Sequence, residues 1–431
     1  MLTRVDLRGR ADDPSAYLPR AALDREAARA VVREIVAGVR AGGDAAALAF
    51  QERFGVRPAS VRVPAERIQS ALEECDPELR EAIESAAARI RAYHERQAAE
   101  ERTPFWRIGA EGAWVGEESR PVERAGCYVP GGRAAYPSTV LMTALPARIA
   151  GVRSIAVCVP PAPGGEVHPA TLVACAVAKV DEVYALGGAQ AVAAMAYGTE
   201  SIARADVIVG PGNLWVTLAK HEVCMDVGVD SFAGPTEVAI VADDSASAVF
   251  VAADLVAQAE HDPLATAILI TDCESLADAV DDALKGECAR ASRRDDVEAA
   301  LRGQGRALIV EDIARAMEVA NAFAPEHLEL IVRDAESWLP SVRDAGAVFV
   351  GAYTPVALGD YVAGTNHVLP TAGSARFASP LRVSNFVKST AVVLFDRAGL
   401  DDVAPALLAI ARAEGLDAHA RALSVRLEDG A

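Results

Sequence analysis

From about residue 126 onward, short apolar runs alternate with alanine-rich stretches of helical periodicity. Most of these runs are continuously apolar, which is typical of parallel strands covered by helices on both faces. Strands that alternate with helices at this spacing predict βαβ units and a doubly wound sheet. The predicted strands are Ser154–Val159, Glu182–Leu186, Asp206–Val209, Glu237–Val241, Ala267–Thr271, Ala307–Val310, Leu328–Val332 and Ala347–Val350.

The rest of the chain divides by pattern into helical and irregular segments. With 431 residues the chain has room for two to four domains, and so many strands favour two α/β halves that divide near residue 235. The first 120 residues have helical periodicity, mainly over 21–39 and 66–100, with breaks at Gly42-Gly43 and at Pro77. Residues 353–388 predict a long functional loop, and the segment after Leu400 predicts helix.

The charge and the apolar pattern exclude several classes of protein. The formal net charge of −19 disfavours binding to the phosphate backbone of nucleic acid. No run of 18 or more uncharged apolar residues predicts a membrane span, and the first residues lack an apolar signal-peptide core, so we expect a cytoplasmic protein. The seven cysteines are scattered, which favours buried thiols in a reducing compartment, although a thiol nucleophile stays an alternative.

Three predicted strands run directly into glycine-rich turns, at Val129-Pro-Gly-Gly132, Leu186-Gly-Gly-Ala-Gln190 and Val209-Gly-Pro-Gly-Asn213. The carboxyl ends of parallel strands share one sheet edge, where ligands bind and where helix N-termini offer free N–H groups to phosphate. Three such turns predict a nucleotide site, although each could also be a tight connection. A G-x-G-x-x-G fingerprint is absent from the sequence.

A second set of polar residues has the chemistry of a metal site. Gln258 and His261 have an i, i+3 spacing at the end of a helical run, which predicts one helical face. Asp360 lies in the long predicted loop and His419 in the C-terminal helical region. Two imidazoles, a carboxylate and an amide oxygen would suit Zn²⁺, although each residue alone could equally be a cap or a surface residue.

Glu326 and His327 are adjacent and precede an apolar strand. A carboxylate beside an imidazole offers two proton carriers that can be tuned to neutral pH, although such a pair could also face water. His367, in Thr365-Asn366-His367, adds a polar cluster in the long loop. His94, His168 and His221 lie in charged or loop segments and are expected to be solvated.

The chain resembles the histidinol dehydrogenase family from about Arg124 to Leu423, and more loosely through the N-terminal helices. Many long matches in the same order make the resemblance specific. Its segments are GCYVPGG from Gly126, YPSTVLM from Tyr136, GGAQAVAAMAYGT from Gly187, VGPGN from Val209, AGPTEV from Ala233, ADLVAQAEHD from Ala253, APEHLEL from Ala324, LGDYVAGTNHVLPT from Leu358 and EGLDAHARAL from Glu414.

This resemblance implies a role for residues at matching positions. It implies zinc ligation by Gln258, His261, Asp360 and His419, and acid–base catalysis by Glu326 and His327. It implies substrate binding by Thr236, His367 and Glu414 together with His327 and the zinc ligands. Tyr128, Gln190 and Asn213 would contact NAD. Thr236 stands where the family commonly has Ser, and Arg382, Asn385 and Ser389 depart from the family pattern in a segment implied to contact the partner subunit.

The implied fold has two incomplete Rossmann-like, doubly wound α/β halves with small helical N- and C-terminal pieces. The corresponding domains are an N-terminal arm over 1–25, a first α/β domain over 26–125 and 236–378, a second α/β domain with the NAD contacts over 126–235, and a C-terminal segment over 379–431. The resemblance implies a homodimer in which this last segment packs on the partner and completes each active site.

The implied reaction is the oxidation of L-histidinol to L-histidine, the last two steps of histidine biosynthesis, with one Zn²⁺ per subunit and NAD as a dissociable cosubstrate. Three alternatives stay open. They are a paralogous dehydrogenase of another small polar alcohol, a zinc hydrolase in which Glu326 activates water, and a non-catalytic binding protein. A zinc hydrolase would have no use for the nucleotide site predicted at the glycine-rich turns. A non-catalytic binding protein would have no use for the acid–base pair.

Overall fold

The computed structural model describes residues 1–10, 12–20, 25–101, 105–131 and 134–428. The chain forms two compact units. The first unit comprises Met1–Gln97 and Val122–Phe386, and the second comprises Ala98–Pro121 and Val387–Ala431. The domain boundaries expected from the resemblance divide the chain differently and stay a prediction.

The described residues form fourteen strands. In chain order they are β1 (Thr3–Asp6), β2 (Phe105–Ala110), β3 (Ala113–Pro121), β4 (Arg124–Tyr128), β5 (Ser154–Val159), β6 (Glu182–Ala185), β7 (Val207–Val209), β8 (Gly228–Val229), β9 (Glu237–Ala242), β10 (Thr266–Thr271), β11 (Arg306–Ile309), β12 (His327–Ile331), β13 (Ala347–Val350) and β14 (Val387–Phe395).

The α-helices of the same residues are α1 (Arg25–Phe54), α2 (Ala65–Glu74), α3 (Pro77–Glu101), α4 (Pro137–Ala150), α5 (Pro169–Val177), α6 (Gly188–Tyr197), α7 (Leu214–Val223), α8 (Ala248–Ala259), α9 (Glu274–Arg290), α10 (Arg294–Gln304), α11 (Ile313–Phe323), α12 (Val356–Tyr361), α13 (Arg397–Ala413) and α14 (Asp417–Glu428).

Two parallel sheets organise the first unit. The larger sheet has the strand order β1-β11-β10-β9-β12-β13, and the smaller has the order β6-β5-β4-β7-β8. In each sheet the chain moves outward on one side of the first central strand and then crosses to the other side. The strand order therefore reverses between β9 and β12 and between β4 and β7. In such sheets ligands bind beyond the carboxyl ends of the strands at the reversal, which in the smaller sheet are the ends of β4 and β7. The predicted pair of Rossmann-like α/β halves is confirmed.

Burial on both faces explains why these strands are apolar throughout. In β9, Val238 and Ile240 belong to the hydrophobic core on one face of the larger sheet, whereas Ala239 and Val241 belong to the core on the other face. All six residues of β9 and of β10 are buried. Each fully buried aliphatic side chain of this kind stabilises the fold by about 1.5–3 kcal/mol relative to exposure.

The eight predicted strands are all present, with ends that differ by at most one residue. The prediction that the first 120 residues are helical is wrong for β1, β2 and β3. Strand β1 is the edge of the larger sheet, where Val5 pairs with Leu308. A partner about 300 residues away in the sequence leaves no local signal for this strand.

The first helix continues past its predicted end. Gly43, at φ 55° and ψ −140°, interrupts the helical geometry, but the chain resumes helix up to Phe54. The backbone therefore kinks at the predicted stop instead of ending there. Residues 21–24, where the predicted helix began, lie outside the described residues.

The second unit contains an antiparallel sheet of order β14-β3-β2, followed by α13 and α14. Helix after Leu400 was predicted, whereas the nine-residue strand β14 was not. In the first unit, the predicted long loop contains helix α12 and 3-10 turns at Ser374–Arg376 and Val383–Phe386. None of the described helices combines the length and the apolar composition that a membrane span requires.

Candidate active site

A pocket of about 230 Å³ forms where edges of the two parallel sheets of the first unit meet. The amino ends of β9 and β12 supply Thr236, Glu326 and His327, and the segments that follow β4 and β7 supply the opposite wall. The lining residues are Pro130, Tyr136, Ser138, Thr139, Pro211, Gly212, Asn213, Thr236, His261, Glu326, His327, Asp360, Tyr361 and His367.

Glu326 and His327 are both held by the backbone of one neighbouring residue. The amide of Glu237 donates to Oε2 of Glu326 at 3.0 Å, and its carbonyl accepts from Nδ1 of His327 at 2.9 Å. Since a carbonyl only accepts, the neutral imidazole carries its proton on Nδ1. Its Nε2 is therefore the atom able to take a proton.

Burial favours the uncharged form of both groups. Burial raises the pKa of Glu326 to about 7, against the opposing hydrogen bonds from Thr236 and from the Glu237 amide. Burial lowers the pKa of His327, although the nearby Asp360 charge acts in the opposite direction. A carboxyl group and an imidazole with these properties can exchange protons with a bound substrate at neutral pH.

A chain of hydrogen bonds joins the acid–base pair to Gln258. Nε2 of Gln258 donates to Oγ1 of Thr236 at 2.6 Å, and that hydroxyl donates to Oε2 of Glu326 at 2.5 Å. Gln258 is 2% exposed, and its buried Oε1 has no hydrogen-bond partner among the described residues. A fixed amide with an unused buried oxygen is suited to ligate a cation.

His261 and Asp360 line the same pocket, so the first unit brings them to one place. The predicted helical geometry of Gln258 and His261 is wrong, because α8 ends at Ala259 and His261 lies beyond it. Asp360 lies in the short helix α12 and not in an irregular loop. Among the described residues, no three His, Cys, Asp or Glu side chains form a metal-binding group.

His367 reaches the pocket with both ring nitrogens engaged. Nδ1 donates to the carbonyl of Asp360 at 3.0 Å, so Nε2 accepts from the hydroxyl of Thr139 at 3.1 Å. Burial lowers the pKa of His367, which favours this neutral form. Thr139, which the sequence marked only as part of a family motif, therefore fixes the orientation of this imidazole.

Glu414 and His419 belong to the second unit. Glu414 is the C-cap of α13, and His419 lies in the first turn of α14. Their assignment to substrate and zinc stays a prediction.

A larger pocket of about 490 Å³ collects residues from all three glycine-rich strand ends. Tyr128 is the last residue of β4, and Gly131 lies three residues after it. Gly187 and Gln190 come after β6, and Asn213 comes after β7. Gly132 of the first turn lies outside the described residues. Asn213 also lines the smaller pocket and is the one described residue that borders both.

The side chains in this larger pocket are held by internal hydrogen bonds. The hydroxyl of Tyr128 accepts from the Gly188 amide at 3.1 Å. Oε1 of Gln51 accepts from the Gly187 amide and from Nε2 of Gln190, each at 3.0 Å. Gln51 therefore organises the second glycine turn from helix α1, and no sequence motif indicated it.

The thiol alternative finds no support in either pocket, since no cysteine is among the described residues that line them. Burial raises the pKa of Cys127 to about 12 and also raises the pKa of Cys158 and of Cys175, which keeps these thiols protonated.

The expectation that three histidines are solvated is wrong for one of them. His168 and His221 are exposed, but His94 is fully buried. Its Nδ1 lies 3.0 Å from Oε1 of Gln97, and its Nε2 lies 3.3 Å from Nδ2 of Asn366. The charged residues around His94 lie on the solvent-exposed face of α3, whereas His94 lies on the buried face. The local composition therefore gave no sign that this histidine is buried.

Two doubly wound sheets with a buried acid–base pair between their edges are the architecture of an α/β enzyme. The chain belongs to the histidinol dehydrogenase family, whose model matches residues 18–427. It is thus an oxidoreductase.

Similar proteins support this assignment over nearly the whole chain. A histidinol dehydrogenase of Thermobifida fusca is 47% identical over 431 residues, which cover 99% of this chain and 98% of that protein. One of Moorella thermoacetica is 48% identical, with 94% and 96% covered. The crystal structure of histidinol dehydrogenase from Elizabethkingia anophelis is 33% identical and superposes with a TM-score of 0.92, covering 99% of this chain and 98% of that one.

Proposed function

We propose that this protein oxidises L-histidinol to L-histidine with NAD and zinc, in two successive steps at one site. The overall reaction is L-histidinol + 2 NAD⁺ + H₂O → L-histidine + 2 NADH + 3 H⁺. The observation that carries the proposal is the buried Glu326–His327 pair, which the backbone of Glu237 holds. Glu326 is joined through Thr236 to Nε2 of Gln258, whose buried Oε1 has no partner among the described residues.

His327 serves the first oxidation. Its proton-bearing Nδ1 faces the Glu237 carbonyl, so Nε2 is left to accept the proton of the substrate hydroxyl. The burial that lowers the pKa of His327 keeps that nitrogen free at neutral pH. Bound NAD⁺ would supply the hydride acceptor for the carbon that carries this hydroxyl.

Glu326 serves the second oxidation. It takes a proton from water as the water oxygen bonds to the aldehyde carbon, and the resulting hydrate can lose the second hydride. The pKa of about 7 makes the carboxylate a stronger base than an exposed glutamate while leaving it partly ionised at neutral pH. Positioned proton transfer of this kind contributes about 10²–10⁴ in rate.

Gln258, His261 and Asp360 would hold the zinc ion, together with His419 of the partner subunit. The buried, unpartnered Oε1 of Gln258 supports a cation there. A bound zinc ion would supply a Lewis acid that orients the substrate. Thr236 fixes both Gln258 and Glu326, so one hydroxyl aligns a metal ligand with a proton carrier.

Thr236, His367 and Glu414 would complete the substrate site. His367 is oriented by Thr139 and by the Asp360 carbonyl, so its ring presents a fixed face to the pocket. Glu414 and His419 would reach the site from the partner subunit, with residues 379–431 packed on that subunit in a homodimer.

The larger pocket would bind NAD, with Tyr128, Gln190 and Asn213 at its wall. Its lining is distributed over three strand ends, without a G-x-G-x-x-G turn. We therefore expect NAD to dissociate and exchange between the two oxidations. Purified protein should carry little of it after dialysis.

The test is NADH production from L-histidinol by the purified protein, with and without a chelator, and with the product identified by mass spectrometry. Two NADH per histidine, lost on chelation and restored by Zn²⁺, is the expected result. NADH produced from another polar alcohol but not from L-histidinol would assign the site to a paralogous dehydrogenase, and hydrolysis without NADH would assign it to a hydrolase.

A further inference from the structure

A closed ring of hydrogen bonds holds the turn that leads to Asn213. The amide of Gly210 donates to Oδ2 of Asp230 at 2.7 Å, and its carbonyl accepts from Nζ of Lys220 at 2.5 Å. Nζ of Lys220 also lies 2.5 Å from Oδ1 of Asp230. Both polar groups of the Gly210 backbone are therefore bound by one ion pair.

This ion pair is withdrawn from solvent. The side chains of Lys220 and Asp230 are each 3% exposed, and Lys220 is one of only four lysines in the chain. The free energy lost when two charges leave water offsets much of their electrostatic attraction. An apolar pair of similar volume could therefore stabilise the fold about as well. A buried ion pair of this kind is better suited to fixing the position of a backbone segment than to stabilising the fold. Here it fixes the position of Gly210.

Gly210 occupies a place where small displacements matter. Its φ is +112°, and a Cβ on it would lie 2.1 Å from the carbonyl oxygen of Tyr128, so the turn passes directly over the end of β4. Three residues later, Oδ1 of Asn213 caps α7 by accepting from the amides of Trp215 and Val216.

Lys220 lies on the same helix that Asn213 caps, two turns further along, and reaches back to Gly210. Asp230 follows β8, the edge strand of the smaller sheet. The ring thus fixes the Gly210 end of the turn to α7 and to the edge of the smaller sheet. The Asn213 end is fixed to the first turn of α7 by the cap. Pro211, Gly212 and Asn213 line the smaller pocket, and Asn213 lines the larger one as well.

We propose that Lys220 and Asp230 are positioning residues for the dinucleotide, which hold the Gly210–Asn213 turn where Asn213 can contact NAD. The proposal rests on the proposed NAD dependence of the enzyme. Neither residue lines either pocket, so both act through Gly210 and Asn213.

The test uses two variants of the full-length enzyme. Asp230→Asn replaces one of the two oxygens that accept from Gly210 and Lys220 with an NH₂ donor, and it removes the negative charge. Lys220→Met/Asp230→Leu replaces the ion pair with apolar side chains of similar volume. We expect the KM for NAD⁺ and the Kd from direct NAD⁺ titration to rise at least tenfold. The KM for L-histidinol should change less than twofold. Lys285→Met, which breaks the exposed Lys285–Asp282 pair, is the matched control and should leave all three constants unchanged.

A double-mutant cycle with Asn213→Ala distinguishes positioning from general loosening. If the ring acts through Asn213, Asp230→Asn should weaken NAD⁺ binding much less in the Asn213→Ala background than in the wild type. Full additivity, an unchanged NAD⁺ affinity, or equal increases in both KM values would overturn the proposal. Failure of both variants to fold, judged by circular dichroism, would show a requirement for folding and would also overturn it.

The direct titration separates this proposal from the proposed function. Wild-type protein that binds NAD⁺ but does not oxidise L-histidinol would contradict the assigned substrate while the ring could still be tested by binding. Wild-type protein without NAD⁺ affinity would overturn both.

Discussion

The main-chain carbonyl of Glu237 lies 2.9 Å from Nδ1 of His327 and fixes which nitrogen of that imidazole carries the proton. The two residues start neighbouring parallel strands, with His327 opposite Val238 in the register. The same register brings the Glu237 amide to Glu326. One strand pairing therefore sets the orientation of both proposed proton carriers.

Glu326→Gln should impair the second oxidation more than the first, since only the second needs a base that activates water. We expect the kcat for L-histidinal to fall about 10²–10⁴-fold. Single-turnover formation of the first NADH from L-histidinol should fall much less. Rapid-mixing measurements of both half-reactions check this outcome.

His327→Asn should show the reverse pattern, with the first hydride transfer slowed about 10²-fold or more. Asparagine can keep the hydrogen bond to the Glu237 carbonyl but cannot accept the substrate proton. Equal, small losses in both half-reactions for the Glu326 and His327 variants would contradict the two assigned roles.

The rate of aldehyde oxidation should rise with pH through about 7, because Glu326 acts as a base only after it loses its proton. Thr236→Val removes a hydrogen bond that lowers the pKa of Glu326, so the acid limb of the profile should move to higher pH. Thr236→Ser keeps the hydroxyl and is the control. Identical profiles for the Val and Ser variants would refute the link between this hydroxyl and the proton affinity of Glu326.

Removal of the metal should abolish turnover and leave the fold largely intact, because a chain of this length buries a sufficient core without a metal. Zinc content measured by elemental analysis should drop in Gln258→Ala. It should be unchanged in Gln69→Ala, which alters an exposed glutamine of α2. Full activity in protein verified to be free of metal would contradict the prediction.

Asp360→Ala and His419→Ala should each be inactive, and their mixture should recover activity after subunit exchange. If each site takes Asp360 from one chain and His419 from the other, a mixed dimer has one site with both defects and one intact site. Random exchange would then restore about a quarter of all sites. Activity is measured on mixed dimers purified with two affinity tags, and no recovery in them would exclude a shared site.

The sequence alone determined where the parallel strands lie and which side chains are available for catalysis and binding. Continuous apolar runs such as Ser154–Val159 are a direct consequence of burial on both faces, so the pattern is local and readable. The adjacency of Glu326 and His327, and the glycine turns after strands, are likewise properties of short segments.

Only the tertiary structure decided how distant segments meet. It paired β1 with β11, buried His94 against Asn366, and brought Thr236 to Glu326 across 90 residues of sequence. It also left Oε1 of Gln258 without a partner and enclosed Lys220 with Asp230. Local periodicity reports which face of an element is apolar, but contacts between elements depend on packing of the whole chain, which no single segment encodes.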